Sequence, residues 1–371
     1  MIYLDNAATT KQNFESTQIQ NDFACNKFFN TSATYAVTNA KNIEEAKKNI
    51  LEKLFSPTNS SLIFTGSATE ANNLILNSFD NIVISAGEHA SIFEKCNNMV
   101  QNGKNIIICP LTKNGQIDYA SFENILDEKT RLVSVFHVNS ETGAINDLAK
   151  IKEIMSQKCP NALLHSDGVQ AFTKIDVNLA NLGVDFYTIS AHKIGGPKGI
   201  GAIYCKNKNK IKPLVFGGEQ EYALRAGTEN LPAIMAFSHV VKTRTPDINK
   251  IKLLKDLMLS ELKDENIICN VCENCSPYIL SLSFKGVNGE TLINLLASKE
   301  IYISRGSACS SKKAGNRIFE AMGMNVEQTK SLIRISFFES NTPNEIVVVA
   351  KELLSAYRYI NDRVNSLKKG K

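Results

Sequence analysis

The sequence predicts an α/β protein with a mainly parallel sheet, followed by a smaller C-terminal domain. Two observations carry this. Between about Ser61 and Lys206 short apolar runs alternate with helical patterns, the rhythm of βαβ units that stack parallel strands. At 371 residues the chain is also long for one compact core, and two domains is the expectation at that length. A largely helical stretch from Leu231 to about Leu262, broken at Pro246, carries the chain from one to the other.

Composition narrows the class. The apolar 43% and charged 21% are those of a soluble globular protein. The net charge of +5 is scattered, and the only basic cluster, Lys368-Lys369-Gly370-Lys371, reads as a solvated terminus. No direct nucleic-acid binding is expected. No uncharged apolar run approaches about 18 residues, so no membrane span is expected either. Met1 leads into IYLDNAATT without a basic-then-apolar signal region. Nine cysteines without such a signal fit free thiols in a reducing cytoplasm. There is no internal repeat.

Taken in order, Tyr3 to Thr10 is a short strand and a polar turn. Glu44 to Phe55 forms an amphipathic helix with Ile43, Ala46, Ile50, Leu51 and Leu54 on one face. Ser61 to Phe64 is a strand, Gly66-Ser67 a turn, and Ala68 to Leu76 a helix. Free amides at that helix start, beside the small Ser67 and Thr69, favour an anion such as phosphate. A plain N-cap is the alternative. The strand Ile82–Ser85 ends in Ala86-Gly87-Glu88-His89, placing His89 where α/β sites gather, although a lone histidine is usually structural. A strand Asn105–Cys109, an Asn114-Gly115 turn, a helix Tyr119–Leu126 and a strand Leu132–Val138 follow, the last ending in Asn139-Ser140-Glu141-Thr142-Gly143.

Chemistry concentrates in the next two segments. LLHSDGVQ, Leu163 to Gln170, is a strand that delivers Asp167 at its end. DFYTISAHKIGGPKGIG, Asp185 to Gly201, is a strand from Phe186 to Ile189 followed by Ser190-Ala191-His192-Lys193 and a run of glycines. A lysine where apolar strand gives way to glycine loop is partly desolvated, which favours the neutral amine and so a Schiff-base nucleophile. On this stretch alone a solvated loop lysine is the simpler reading. The 26-residue spacing from Asp167 to Lys193 changes that, because it leaves room for a connection and one strand and so allows the two at neighbouring strand ends. Such a pair is the pyridoxal phosphate arrangement, in which the carboxylate keeps the pyridine nitrogen protonated.

Beyond it, Arg225-Ala226-Gly227-Thr228-Glu229-Asn230 suits a phosphate, weakly by itself. Cys269, Cys272 and Cys275 have the spacing of thiolate ligands for a metal or cluster. They lack an obvious fourth ligand, and incidental loop thiols are the preferred reading. Ile301 to Ser304 is a strand running into Arg305-Gly306-Ser307-Ala308-Cys309-Ser310. Arg305 and Lys312-Lys313 there would lower the thiol pKa. Ser331 to Phe338 is a strand whose Arg334 needs a partner, either a substrate carboxylate or a buried ion pair.

With these motifs in this order, from Leu4 to Arg334, the chain resembles the cysteine desulfurases, within the class V aminotransferase group of fold-type I pyridoxal phosphate enzymes. The resemblance implies a large domain, residues 13–245, with a mainly parallel seven-stranded sheet flanked by helices. It implies a small α+β domain from residues 1–12 and 246–371 that carries the Cys309 loop. The implied reaction converts L-cysteine to L-alanine and leaves the sulfur as a persulfide on Cys309, for a sulfur-acceptor protein in iron–sulfur cluster or thiocofactor assembly. Lys193 would bind the cofactor, Asp167 its pyridinium and Gln170 its ring hydroxyl, with His89 stacked on the ring and sharing in proton transfer. The phosphate falls to Ala68, Thr69, Ser190 and His192, and to Thr228 reaching across a homodimer. Arg334 would take the substrate carboxylate. No metal is implied. Three departures mark a diverged member: Ser140 replaces a second asparagine, Glu339 a second arginine, and Asn30-Thr31-Ser32 an Asn-Pro pair. Ser140 and Glu339 open another reading, a lyase or transaminase acting on another small amino acid, which Cys309 opposes.

Overall fold

The computed structural model describes residues 1–271, 273–306 and 317–369. Among them the strands are β1 (Ile2–Tyr3), β2 (Ser61–Thr65), β3 (Asn81–Ser85), β4 (Asn105–Cys109), β5 (Leu132–Ser134), β6 (Leu163–Asp167), β7 (Phe186–Ser190), β8 (Gly201–Cys205), β9 (Ile267–Cys269), β10 (Ile279–Phe284), β11 (Ile301–Tyr302) and β12 (Leu332–Ser336). Seven form one sheet in the order β2-β8-β7-β6-β5-β3-β4. β8 is antiparallel to both of its neighbours, and the other pairs are parallel. The expected mainly parallel seven-stranded sheet is therefore present.

Its strands alternate residues between two apolar layers. Ile63, Ile82, Ile84, Phe186 and Ile203 pack on one side with Leu74, Ile75, Ile92 and Met99, which lie on the helices Ala68–Leu76 and Ala90–Gln101. Leu62, Phe64, Val83, Val133, Leu164 and Tyr187 face the other layer, with the helices Leu148–Lys158 and Leu231–Thr243. Burial on both faces is why these strands read as unbroken apolar runs. Chain order reverses between β3 and β5, and loops past the strand ends at such a reversal frame a crevice.

The rest of the chain builds an antiparallel sheet, β12-β10-β9, covered by the helices Ile248–Glu261 and Pro343–Lys369. The expected break at Pro246 is there: one helix ends at Thr243 and the next begins at Ile248, capped by Asp247. β1 pairs in parallel with β11, and Asp5 bridges to Ser336. The N-terminus is thereby tied to the C-terminal elements, and residues 6–10 run across the crevice.

The strands expected over Leu132–Val138 and Ile301–Ser304 are shorter, Leu132–Ser134 and Ile301–Tyr302, and two helices differ from expectation. The amphipathic helix spans Val37–Lys53, beginning two turns early, although Ile43, Ala46 and Ile50 are its buried face as expected. A helix Phe14–Cys25 was not foreseen, because it buries only Ser16 and Phe23 and so shows little apolar periodicity. Among the described residues no helix is long and apolar enough to cross a membrane.

Gly168 follows Asp167 where β6 lies against Tyr187 of β7. A Cβ there would stand 2.0 Å from the Tyr187 ring, whose hydroxyl is tied to His137 at 2.7 Å. We predict that Gly168→Ala costs about 1–3 kcal/mol, the usual penalty of overpacking, seen as a fall in the urea midpoint. An unchanged midpoint would mean that the ring is free to move.

Candidate active site

The strand ends gather what the sequence spread over more than 300 residues. A cavity of about 340 Å³ is lined by Ala7, Ala8, Ala68, Thr69, His89, Ser140, Asp167, Gln170, His192, Lys193 and Arg334, among others. His89 follows β3, Asp167 ends β6 and Lys193 lies in the turn Ala191–Lys193 after β7. The parallel register of β6 and β7 aligns Asp167 with Thr188, so the carboxylate and the lysine share one rim. A larger cavity, about 560 Å³, opens beside β9 and Lys285 and contains none of the expected site residues.

Asp167 is buried and fixed at both oxygens. Oδ1 accepts from the Val169 amide at 3.0 Å and Oδ2 from Asn72 Nδ2 at 2.9 Å. Lys193 Nζ donates to the carbonyls of Ala7 and Ala8, each at 2.6 Å. The same Ala7 carbonyl accepts from Gln170 Nε2 at 2.8 Å. The LDNAATT segment is thus stitched to the site by its main chain.

His89 caps the helix Ala90–Gln101, with Nδ1 accepting from the Ser91 amide at 3.1 Å. An accepting Nδ1 leaves the neutral ring's proton on Nε2. Burial holds the imidazole below its usual range; Asp167 opposes this and Lys193 and Arg317 add to it. His192 is pushed down to about 3, by burial first and then by Lys193. Its Nδ1 lies 3.1 Å from Thr9 Oγ1.

The phosphate end is built on a close approach. Ser67 caps the helix Ala68–Leu76 by accepting from the Glu70 amide at 3.1 Å. A Cβ on Gly201 would lie 2.7 Å from Ala68 N, so only glycine lets β8 pass this helix start. Thr69 and His192 line the cavity beside it. Ser190, paired with Gly201, is buried in the ladder and is not among the lining residues. Thr228 is exposed and lies in other pockets, with Arg225 and Glu229. The chain does not bring it to its own cavity. Arg225 pairs with Glu70 at 2.8 Å, and Thr31 donates to Glu229 at 2.7 Å, which locates one of the departures against this loop.

Arg334 has the buried ion pair that was one of its two expected partners. Its guanidinium pairs with Asp5 at 2.7 Å and donates to the Ser140 carbonyl at 2.7 Å. Nε has no hydrogen-bond partner among the described residues, and the side chain still lines the cavity. Glu339, another departure, takes Arg244 at 2.7 Å and the Tyr278 hydroxyl at 2.6 Å.

Cys309 lies outside the described residues, as does Cys272. Of the residues flanking 307–316, Gly306 lies against Glu141, where a Cβ would meet Oε2 at 3.1 Å. Arg317 donates to the carbonyls of Ala86 and Glu88 and lies 3.7 Å over the Phe93 ring. Among the described residues no group of three His, Cys, Asp or Glu side chains is placed to hold a metal.

Asp5, Asn72, Glu88, Lys174 and Arg317 were missed by the sequence reading. None of them lines the cavity; only the fold sets them behind the residues that do.

The donor set fits pyridoxal phosphate. An anchored carboxylate, a lysine, an amide donor and a tight helix start share one cavity. These features define a lysine–carboxylate cofactor site at the switch point of a parallel sheet. The comparisons agree. The aminotransferase class-V family model matches residues 2–349. A NifS/IcsS protein homolog of Lactobacillus delbrueckii subsp. bulgaricus is 32% identical, over 96% of both chains. Cysteine desulfurase IscS of Buchnera aphidicola subsp. Baizongia pistaciae is 33% identical over 93% of this chain and 90% of that one. The solved NifS-like protein of Rickettsia africae superposes with a TM-score of 0.87 at 30% identity, covering 96% and 99% of the two chains. The chain belongs to the aminotransferase class-V family, within its cysteine desulfurase branch.

Glu88 generates a pH prediction. It is fully buried, with Oε1 accepting from the Phe136 amide at 2.8 Å and from Ser85 Oγ. Burial pushes its carboxyl from 4.5 up to about 8, against the opposing pull of those two donors. The folded chain keeps this proton where the unfolded chain has lost it. The stabilisation is therefore complete below 4.5 and is lost as pH rises towards 8. Glu88→Gln, an isostere of the protonated acid, should flatten this dependence. Urea midpoints at the two ends of the window check it, and equal slopes in both proteins would contradict it.

Proposed function

We infer that the chain is a pyridoxal phosphate-dependent cysteine desulfurase that converts L-cysteine to L-alanine and retains the sulfur. The observation that carries this is a lysine and an anchored carboxylate on one rim, in a chain whose relatives bear the name cysteine desulfurase. Pyridoxal phosphate, when bound, supplies an electron sink for charge developing on the substrate.

The chain's residues divide the remaining work. Lys193 holds the cofactor and moves protons at the substrate α-carbon; the Ala7 and Ala8 carbonyls orient its amine until then. Asp167 holds the ring nitrogen, with Asn72 and the Val169 amide keeping the carboxylate from turning. Gln170 serves the ring hydroxyl. His89, a neutral ring with its proton on Nε2, stacks and shares in proton transfer. The helix start at Ala68 and Thr69 takes the phosphate, with His192; Ser190, held in the ladder opposite Gly201, lies behind it. Arg334, which lines the cavity, takes the substrate carboxylate, with Asp5 and the Ser140 carbonyl orienting the guanidinium.

The sulfur step falls to Cys309, on the sequence R-G-S-A-C-S. Its thiolate forms an S–S bond to the substrate sulfur as the C–S bond breaks, and the β-carbon takes a proton and leaves as alanine. The persulfide then passes to an acceptor protein, for iron–sulfur cluster or thiocofactor assembly in the cytoplasm. The working unit is a homodimer in which Thr228 completes the partner's phosphate site; its exposure and distance from its own cavity support this. Residues 13–245 form the cofactor domain, and residues 1–12 with 246–371 the small one, a division supported by the β1–β11 pairing.

Incubation with L-cysteine should yield alanine and sulfur in equal amounts. Cys309→Ser should keep cofactor binding yet accumulate no persulfide, whereas the unaltered protein, trapped with an alkylating reagent, carries one extra sulfur on the Cys309 peptide. Full alanine production by the serine variant would instead indicate a lyase that needs no protein thiol.

A further inference from the structure

A second lysine stands behind the site. Lys174 is absent from the cavity lining and is 2% exposed, so its amine is held inside the protein. Its Nζ donates to Gln170 Oε1 at 2.9 Å. The other end of that amide is also tied, since Gln170 Nε2 donates to the Ala7 carbonyl at 2.8 Å, the oxygen that receives Lys193 Nζ. A carbonyl oxygen can only accept, so Ala7 decides which end of the amide is nitrogen. Lys174 then occupies the oxygen end. An amide held at both ends cannot rotate, and its remaining N–H is left for the cavity that Gln170 lines.

The surroundings explain how a lysine is tolerated there. Burial lowers its amine well below the usual range; Lys193 and Arg244 add to this, Glu339 opposes it and Arg334 adds again. The neutral amine is therefore favoured, and it keeps an N–H to donate without a buried unpaired charge. The Arg244–Glu339 pair, with the Tyr278 hydroxyl on the same oxygen, closes the space behind it. Nζ lies 5.9 Å from the Tyr278 ring centre, and Arg244 Nε donates to Thr173, the neighbouring residue, at 3.0 Å.

We propose that Lys174 is a positioning residue for the cofactor: it locks the Gln170 amide so that one N–H is presented to the ring hydroxyl. This rests on the assignment of Gln170 to that hydroxyl. Deleting the lysine would leave a buried carbonyl oxygen without its donor and free the amide to turn towards another partner.

A double-mutant cycle on the affinity of the apoprotein for pyridoxal phosphate, followed by the visible absorption of the bound cofactor, tests it. Gln170→Leu should weaken binding about tenfold, the loss of one buried hydrogen bond. Lys174→Met should weaken it to a similar degree and move the absorption maximum in the same direction. The double variant should bind as Gln170→Leu does, because the lysine acts only through the amide. Multiplying losses, or a Lys174→Met protein with unchanged affinity and spectrum, would overturn the proposal while leaving Gln170 in place. Unchanged affinity in Gln170→Leu would remove Gln170 from the ring and the proposal with it. Should Lys174→Met alone not fold, Gln170→Leu and the double variant decide between them. The double should fold with an equal or higher melting midpoint, since it removes a buried amine that has lost its acceptor. Its failure to fold would show that Lys174 supports the core independently of Gln170.

Discussion

The parallel pairing of β6 with β7 is the constraint on which the rest of this molecule depends. Both strands are buried on both faces, so a slip in register would break the apolar layers on either side of the sheet. That fixed register holds Asp167 opposite Thr188 and brings Lys193, one short turn beyond β7, to the same rim. Gly168 allows the Tyr187 ring to close against β6, and Gly201 allows β8 to pass the helix start at Ala68. Two absent side chains thus set the distances of a site made from present ones.

Around that rim the charges are arranged rather than cancelled. Arg334 is turned by Asp5, Arg317 is spent on the carbonyls of Ala86 and Glu88, and Arg244 is paired with Glu339. Burial does the remaining tuning, keeping His89 and His192 neutral and leaving Glu88 with its proton. The N-terminal segment belongs to this arrangement. Its carbonyls at Ala7 and Ala8 receive the lysine and the glutamine that line the cavity, and β1 anchors it to β11 in the C-terminal part. A segment that begins as a short strand and polar turn becomes the floor of the site through its main chain.

Much of this was legible in the sequence, and the reason is physical. Doubly buried strands write themselves as apolar runs, and polar residues just past such runs, as at Asp167, His89 and Lys193, each ordinary alone, point to a site when several can meet at neighbouring strand ends. The Arg334 strand declared its need of a partner in the same way, although Asp5 as that partner lies some 330 residues away in the chain. What the sequence could not express was depth. Lys174 and Glu88 read as ordinary surface charges, and only the packing around Gln170 and Phe136 makes them interior groups. The helix Phe14–Cys25 failed for the converse reason, since it rests on capping by Asn13 and a single buried aromatic. Ser140 and Glu339, which stood out as departures, are accommodated: one lends a carbonyl to Arg334 and the other pairs with Arg244.

Everything proposed for the site requires that Lys193, and not another lysine, carries the cofactor. Lys174 makes the question sharp, since it is a second buried amine linked to the same Ala7 carbonyl through Gln170. Reduction of the holoenzyme with borohydride, followed by proteolysis and peptide mass mapping, separates the two directly. The cofactor's added mass should fall on the peptide containing Lys193 alone. The same mass on the peptide containing Lys174, or an unmodified Lys193 in a fully reduced protein, would contradict it.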